Sequence, residues 1–238
     1  HEAIVPVLDV GHDRNLCYLV SELVLGPEGK PVTLSDYASW FDNVIDPPEL
    51  LQLYRLMLSA FRVIHEHKVV HGNMKPQNVL LQCAAVSDTT WEARVRITDF
   101  GISRILGSDF VVESVRKSVR HRDAQADTVK VQALTPDAKA LIETYDYMSP
   151  EQRQGKGASR RSDVFSLGLM FLHMLTGKKV IGFEPPSRLC EGIDSAWDTF
   201  ILASTAQRKR DRYRSVAHML EALEELECTS TERVGQEA

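Results

Sequence analysis

Apolar and polar positions along the chain predict short strands near the amino end and long helices after them. Residues 16–22 have the apolar character of a strand and follow a strand-like segment at residues 1–9, with a turn between the two. After a break at residues 46–48, apolar side chains recur at helical spacing to about Lys68. These apolar positions are Leu50, Tyr54, Met57, Leu58, Phe61 and Ile64. We expect this amphipathic helix to pack its apolar face in the core.

Helix-capping residues mark further helices. Thr33 or Ser35 is placed to cap a short helix that carries an acidic residue in its first turn. Residues 162–177 predict a capped, buried helix that ends at its terminal glycine. Residues 195–205 and 215–226 predict two more helices, so the second half of the chain is mainly helical.

Strands and irregular stretches alternate in the middle of the chain. Residues 79–81 and 94–98 read as strands, and residues 83–92 between them as an irregular insertion. Residues 102–143 lack hydrophobic periodicity, and a loop of this length is functional or disordered. Its basic run at residues 116–122, RKSVRHR, has two interpretations, a solvated surface or a patch that receives a phosphate or a partner.

Composition narrows the classes of protein. With 238 residues and 43% hydrophobic side chains, the chain can bury the core of one domain. A net charge of −5 argues against general binding to nucleic acid or acidic membranes. The four cysteines show no paired spacing, which argues against structural zinc and favours reduced thiols. The longest apolar stretch, residues 164–175, is too short to span a bilayer, so we expect a cytoplasmic domain.

The most informative stretch is the polar segment HGNMKPQNVLL at residues 71–81, together with ITDFG at residues 97–101. A loop held between strands would bring Lys75, Asn78 and Asp99 to one place. An amide oxygen and a carboxylate are ligands that suit Mg²⁺, and a lysine beside them suits a phosphate. The order and spacing of these residues therefore predict a site for a metal and a phosphate group.

These two segments resemble the protein kinase family, in particular the eukaryotic-like Ser/Thr kinases of bacteria. The family reads H-R-D-L-K-P-x-N in its catalytic loop and D-F-G at its metal motif. Seven positions of this sequence match those motifs: His71, Lys75, Pro76, Asn78, Asp99, Phe100 and Gly101. Two positions differ, since Gly72 replaces the loop arginine and Asn73 replaces the catalytic aspartate.

The resemblance covers nearly the whole chain and implies an α+β, protein-kinase-like fold that consists mostly of the helical large lobe. Residues 1–25 would be the last strands of the small lobe and the hinge, and residues 26–228 the large lobe. Residues 99–151 would be the activation segment, and residues 229–238 a polar tail. Residues 144–152, TYDYMSPEQ, resemble the substrate-docking loop and the closing A-P-E motif of the family.

The same resemblance implies roles for individual residues. Residues that would contact the nucleotide are Ser21, Glu22, Leu23, Val24 and Leu80. Asn78 and Asp99 would hold Mg²⁺, and Lys75 would touch the γ-phosphate, although Lys75 and Asn78 could instead only brace the loop. Residues with a structural or regulatory role would be His71, Phe100, Gly101, Thr144, Glu151, Asp163 and Arg212. Of these, Asp163 would hold the catalytic loop through backbone amides, and Arg212 would pair with Glu151.

The departures from the family pattern bear on activity. The amide of Asn73 cannot take a proton, and the loss of a general base lowers a rate by a factor on the order of 10²–10⁴. Gly72 removes the arginine that receives an activation-loop phosphate in many relatives. The sequence also contains no Gly-rich phosphate loop and no V-A-I-K-type lysine strand, a pair of features that upstream sequence could supply with the small lobe.

Three functions remain open on this basis. The favoured one is a pseudokinase or scaffold that binds a protein partner, with binding of ATP and Mg²⁺ weak or lost. The second is a Ser/Thr kinase domain, seen only in part, that acts on a protein substrate. The third is a sensor that binds nucleotide and Mg²⁺ without phosphoryl transfer.

Overall fold

The computed structural model describes residues 1–13, 16–26, 29–85, 91–100, 136–178, 184–190 and 193–234. The strands are β1 (Val7–Asp13), β2 (Leu16–Ser21), β3 (Val79–Ala85) and β4 (Trp91–Ile97). The first helices are α1 (Leu34–Ser39), α2 (Pro47–Glu66), α3 (Pro136–Tyr147) and α4 (Pro150–Arg153). The later helices are α5 (Arg160–Thr176), α6 (Pro186–Leu189), α7 (Ala196–Ser204) and α8 (Val216–Val234). Short 3₁₀ turns occupy Pro76–Asn78 and Lys209–Asp211.

Two antiparallel hairpins flank the start of the helical region. β1 pairs with β2, and β3 pairs with β4 in a register that places Val79 opposite Ile97. The segment before β1 joins the second hairpin, because the N–H of Val5 donates to the carbonyl of Ile97 (2.9 Å). In return, the N–H of Ile97 donates to the carbonyl of Ala3 (2.8 Å). The amino-terminal segment is thereby fixed to the strand that leads to Asp99.

The core lies between α2, α5, α7 and α8, which pack against one another. The apolar face predicted for α2 is buried, which confirms the helical spacing read from the sequence. Tyr54 on α2 meets Phe171 on α5 edge to face, with ring centroids 4.3 Å apart. Almost every residue of α5 is buried, as expected of a helix that is surrounded by other elements.

Local capping chemistry sets two helix ends where the sequence predicted them. The hydroxyl of Thr33 accepts a hydrogen bond from the N–H of Asp36 (3.1 Å), and the carboxylate of Asp36 accepts one from the N–H of Thr33 (2.9 Å). This reciprocal capping box starts α1. At the end of α5, Gly177 has a φ of +67°, a left-handed conformation that glycine adopts without steric cost. Both predicted helix ends are confirmed.

The prediction that residues 102–143 lack regular structure is wrong for its last part. Residues 136–147 form α3, which runs into the segment expected to be a docking loop and packs against α5. Pro136 opens the helix at a position where proline is favoured. The alanine, lysine, leucine and glutamate that follow have high helix propensity, although their apolar positions show little periodicity.

The expected irregular insertion at residues 83–92 is partly regular. β3 continues to Ala85 and β4 begins at Trp91, so both strands extend into the stretch. Gly101 and the basic run at residues 116–122 lie outside the described residues. Among the helices of the described ranges, we find none whose length and apolar content would let it span a bilayer.

Candidate functional site

The buried carboxylate of Asp163 holds residues 71–78, which we call the polar loop, against the amino end of α5. Asp163 lies in the first turn of α5 and is 1% exposed. Its Oδ2 accepts a hydrogen bond from the backbone N–H of His71 (3.0 Å), and its Oδ1 accepts one from the N–H of Gly72 (2.8 Å). The Nε2 of His65 donates a third bond to Oδ2 (2.9 Å). Hydrogen bonds to a carboxylate are stronger than those between neutral groups, so this residue fixes the loop backbone.

The side chain of His71 braces the polar loop from inside. Its ring lies 5.7 Å from the ring of Phe61 and 4.7 Å from that of Phe100, centroid to centroid. The Nε2 of His71 donates to the carbonyl of Thr98 (3.0 Å), and Nδ1 accepts from the N–H of Asn73 (3.2 Å). Burial lowers the pKa of His71, and nearby acidic groups and a carbonyl offset this only in part. Both contacts fit a neutral imidazole that connects the loop with the end of β4.

Asn78 and Asp99 stand on adjoining backbone at the end of the second hairpin. The carbonyl of Asn78 accepts a hydrogen bond from the N–H of Thr98 (3.0 Å). The buried side-chain amide of Asn78 donates through Nδ2 to the carbonyl of Asn73 (2.7 Å). Asp99 follows directly, exposed and with a φ of +65°, which is uncommon for residues other than glycine, asparagine and aspartate. The backbone of Asn78 therefore lies directly beside Thr98, the residue that precedes Asp99.

Lys75 shares this region. The residue is 8% exposed, and its ammonium group donates to the hydroxyl of Thr144 (3.1 Å). Burial lowers the pKa of Lys75, and the carboxylates of Glu143 and Asp99 offset that effect in part. The N–H of Asn78 donates to the carbonyl of Lys75 (2.9 Å), so the backbone of Lys75 adjoins Asn78. Thr144 connects them with the carboxyl end of α3.

The predicted nucleotide-contacting residues lie at the end of β2, in the segment after it and on β3. They are Ser21, Glu22, Leu23, Val24 and Leu80. Leu80 pairs with Arg96 across the second hairpin, and the guanidinium of Arg96 donates to the carboxylate of Glu22 (3.0 Å). Val24 is buried, whereas Leu23 is 70% exposed. The segment after β2 is therefore tied to β4 beside Leu80.

An ion pair between Glu151 and Arg212 joins α4 to the turn before α8. Arg212 donates two hydrogen bonds to the carboxylate of Glu151, both of 2.8 Å. Its other guanidinium N–H groups donate to the backbone carbonyls of Arg161, Ala206 and Gln207. Burial alone would raise the pKa of Glu151, but hydrogen bonds from Arg212 and Ser162 outweigh it and lower the pKa to about 2. This pair joins α4, α5 and the turn before α8. Its contact on α5 includes Ser162, the residue next to Asp163, whose hydroxyl donates to Glu151.

Sequence reasoning did not single out two buried polar contacts, one at the polar loop and one between α3 and α5. The side chain of Gln152 donates to the carbonyl of Gly72 (2.8 Å). Ser149 and Gln152 have the spacing of a capping box, and this pattern could have identified Gln152 from the sequence. The hydroxyl of Tyr147 lies 2.6 Å from Nδ1 of His173, and burial raises the pKa of Tyr147. No local pattern links these last two residues.

Comparison with known proteins identifies the family. The sequence profile described as protein kinase domain matches residues 1–225 of this chain. The chain belongs to the protein kinase family. Its relatives include the serine/threonine-protein kinase PrkC of Bacillus subtilis, 25% identical over 234 residues, which cover 92% of this chain and 30% of PrkC. Another is the serine/threonine-protein kinase PknB of Mycolicibacterium smegmatis, 29% identical, with 92% of this chain and 32% of PknB covered.

Solved structures show the same fold. The crystal structure of the Mycobacterium tuberculosis PknI kinase domain superposes with a TM-score of 0.63 and is 20% identical, covering 94% of this chain and 72% of that one. The predicted α+β kinase fold and the eukaryotic-like Ser/Thr kinase family are confirmed. The kinase domain described here spans about a third of the length of the curated relatives that it matches.

Proposed function

We propose that this kinase domain is impaired in phosphoryl transfer and serves as a pseudokinase or scaffold for a protein partner. The observation that carries the proposal is Asn73, which stands where the family has its catalytic aspartate. An amide can hydrogen-bond a substrate hydroxyl but cannot accept its proton, and a general base is worth on the order of 10²–10⁴ in rate. The backbone around Asn73 is nevertheless held by Asp163 and His71, so the loop keeps its shape without its base.

The residues present fit a weakly bound Mg²⁺ and ATP, which kinases use in general. Asn78 and Asp99 offer oxygen donors of the type that Mg²⁺ prefers, and Lys75 offers an ammonium group to a phosphate. When bound, the metal ion would neutralise phosphate charge. We assign the adenine contacts to the backbone after β2, at Glu22 and Val24.

Within this proposal, residues 1–25 correspond to the end of a small lobe with its hinge, and residues 26–228 to the large lobe. The activation segment is residues 99–151, and residues 229–238 are a polar tail. The protein partner would engage residues 144–152, which we call the docking segment. Support for this assignment is the hydrogen bond between Lys75 and Thr144, which links the docking segment to the polar loop.

A Ser/Thr kinase with residual transfer to protein hydroxyls is the second candidate. Lys75 contacts Thr144, and Asn78 is buried and hydrogen-bonded to the loop. These contacts support a role of the two residues in positioning phosphate and metal. A nucleotide sensor without transfer would use the same residues. The two differ from a pure scaffold in requiring that Mg²⁺ and ATP bind.

A thermal-shift titration with ATP and Mg²⁺, separately and together, tests the proposal. A ligand that binds only the folded state raises the unfolding midpoint by mass action. We expect at most a small rise at millimolar nucleotide, and no transfer of labelled phosphate to a protein acceptor. A clear rise that requires both ligands and is lost in Asp99→Asn, but not in the exposed control Asp9→Asn, would show a working metal–nucleotide site. Turnover of labelled ATP onto an acceptor would contradict the pseudokinase and establish the second candidate.

A further inference from the structure

The glycine that precedes Asn73 is held from two sides by separate helices. Gly72 has a φ of +74°, and its N–H donates to Oδ1 of Asp163 at the start of α5 (2.8 Å). Its carbonyl accepts a hydrogen bond from Nε2 of Gln152 on α4 (2.8 Å). Glycine has the greatest backbone freedom of any residue, so these two bonds select one conformation from many.

The side chain of Gln152 is itself fixed at its other end. It is 6% exposed, and its Oε1 accepts hydrogen bonds from the N–H (3.1 Å) and the hydroxyl (2.9 Å) of Ser149. Ser149 is fully buried. The amide of Gln152 therefore forms a rigid connection between the docking segment and the backbone of the polar loop.

The connection continues into the candidate nucleotide site. Beyond Gly72, the carbonyl of Asn73 accepts the hydrogen bond from the side chain of Asn78 (2.7 Å). A change in the orientation of the peptide between Gly72 and Asn73 would therefore move both the base position and a candidate metal ligand. The carbonyl of this peptide is that of Gly72. Among the hydrogen bonds found at Gly72 in the described residues, only the one from Gln152 comes from the docking segment.

We propose that Gln152 is a positioning residue that couples the docking segment to the nucleotide site by fixing the backbone of Gly72 and Asn73. The inference deepens the proposed function, on which its nucleotide arm rests. A partner that shifts residues 144–152 would, through this side chain, change the geometry at Asn73 and Asn78. Binding of a partner and binding of nucleotide would then affect one another.

Two substitutions remove the donor to Gly72 in different ways. Gln152→Met keeps a similar volume and loses every side-chain hydrogen bond. Gln152→Glu keeps an acceptor for Ser149 but sets an oxygen against the carbonyl of Gly72. Gln154→Glu makes the second change at an exposed position two residues further along and serves as the matched control.

Hydrogen exchange of residues 70–79, normalised to exchange in α5, is the first readout, and the Kd for Mg·ATP is the second. Loss of a buried hydrogen bond should speed exchange in the loop roughly tenfold relative to α5 in both Gln152 variants. The Kd for Mg·ATP should rise several-fold, and Gln154→Glu should match the unchanged protein in both readouts. Should the buried charge of Gln152→Glu prevent folding, the uncharged Gln152→Met decides.

The outcomes separate this inference from the proposed function. Exchange in the loop that is unchanged, or that rises only as much as in α5, would give Gln152 a general structural role and overturn the inference. If the unchanged protein binds no Mg·ATP, the nucleotide part of the proposed function fails, while the exchange readout still decides the role of Gln152. If Mg·ATP binds equally well to all variants, the proposed site stands and the coupling is refuted.

Discussion

At the scale of single residues, the hydrogen-bonded carboxylates of Asp163 and Glu151 organise the region around the polar loop. Asp163 gathers two backbone N–H groups and the imidazole of His65, while Glu151 receives two hydrogen bonds from Arg212. Each carboxylate therefore joins segments that are distant in sequence. Removing such a carboxylate leaves buried donors without an acceptor. This lowers the free energy of unfolding more than replacing both partners by apolar groups would.

Asp163→Asn should destabilise the protein. An amide cannot accept the hydrogen bonds from His71, Gly72 and His65 as the carboxylate does, and its NH₂ group would face donors. We expect the free energy of unfolding to fall by about 2–3 kcal/mol, as measured by urea denaturation. The control Asp211→Asn changes a side chain that is 55% exposed and should alter stability by less than about 0.5 kcal/mol. Equal effects of the two substitutions would contradict the role of Asp163.

Glu151 should contribute a measurable part of the acid sensitivity of folding. Its pKa is about 2 in the folded protein against an ordinary value of 4.5. Since the folded pKa is the lower one, the contribution of Glu151 is present above the unfolded value and is lost as the pH falls towards the folded value. As the pH falls from 4.5 to about 2, the free energy of unfolding of the unchanged protein should therefore decrease more than that of the Glu151→Gln variant. The exposed control Glu221→Gln should keep the pH dependence of the unchanged protein, and identical slopes in Glu151→Gln would refute the prediction.

At the scale of elements, the close approach of α5 and α7 depends on one glycine. A Cβ added at Gly168 would lie 2.2 Å from the Cβ of Ser204, far inside van der Waals contact. The atom it would meet belongs to the base of a side chain on a packed helix, so it cannot move away alone. The two helices can pack at this distance only because position 168 has no side chain.

Gly168→Ala should therefore destabilise the protein despite the higher helix propensity of alanine. Overpacking of a core costs about 1–3 kcal/mol in the free energy of unfolding, more than the propensity gain. Gly157→Ala is the matched control, because a Cβ at Gly157 would meet nothing within 4 Å. Calorimetric unfolding should show a lowered midpoint for the first variant alone. Combining Gly168→Ala with Ser204→Gly should recover part of the loss, and no recovery would argue against the contact.

At the scale of the whole molecule, burial is unevenly distributed between the two hairpins. Leu8 and Val10 on β1 are 66% and 67% exposed, whereas Val79 and Ile97 in the second hairpin are fully buried. Within the described residues, β1 pairs only with β2. An isolated two-stranded hairpin is marginally stable in water, so β1 and β2 should open more readily than the elements around the core.

Native-state hydrogen exchange should show this difference directly. Amides of the first hairpin should exchange roughly a thousandfold faster than those of α5, since local opening of exposed elements needs little free energy. The second hairpin has strands of similar length, and its Val79, Leu81, Val95 and Ile97 are buried. It is the internal control and should exchange at a rate closer to α5. Equal protection of both hairpins would mean that β1 and β2 are held by contacts that the exposed fractions do not reveal.

Local features of the fold could be read from the sequence because their causes lie within a few residues. The apolar spacing of α2, the capping box at Thr33 and the glycine end of α5 are examples. The order and spacing of Lys75, Asn78 and Asp99 predict one site, and the structure places the backbone of Asn78 beside that of Lys75 and of Thr98, the residue before Asp99. In contrast, α3 was missed because its residues favour a helix by propensity without a strong periodic pattern.

The sequence alone determined the kinase-like fold class and the buried faces of the long helices, and it supplied Asn73, the residue from which we propose impaired transfer. Only the tertiary structure decided which buried polar groups meet. Gln152 and Gly72 are 80 residues apart, and Tyr147 and His173 are 26 apart. Such partners are chosen by the relative placement of packed helices, where a buried donor must find an acceptor or lose the free energy of hydration. No local spacing encodes that choice.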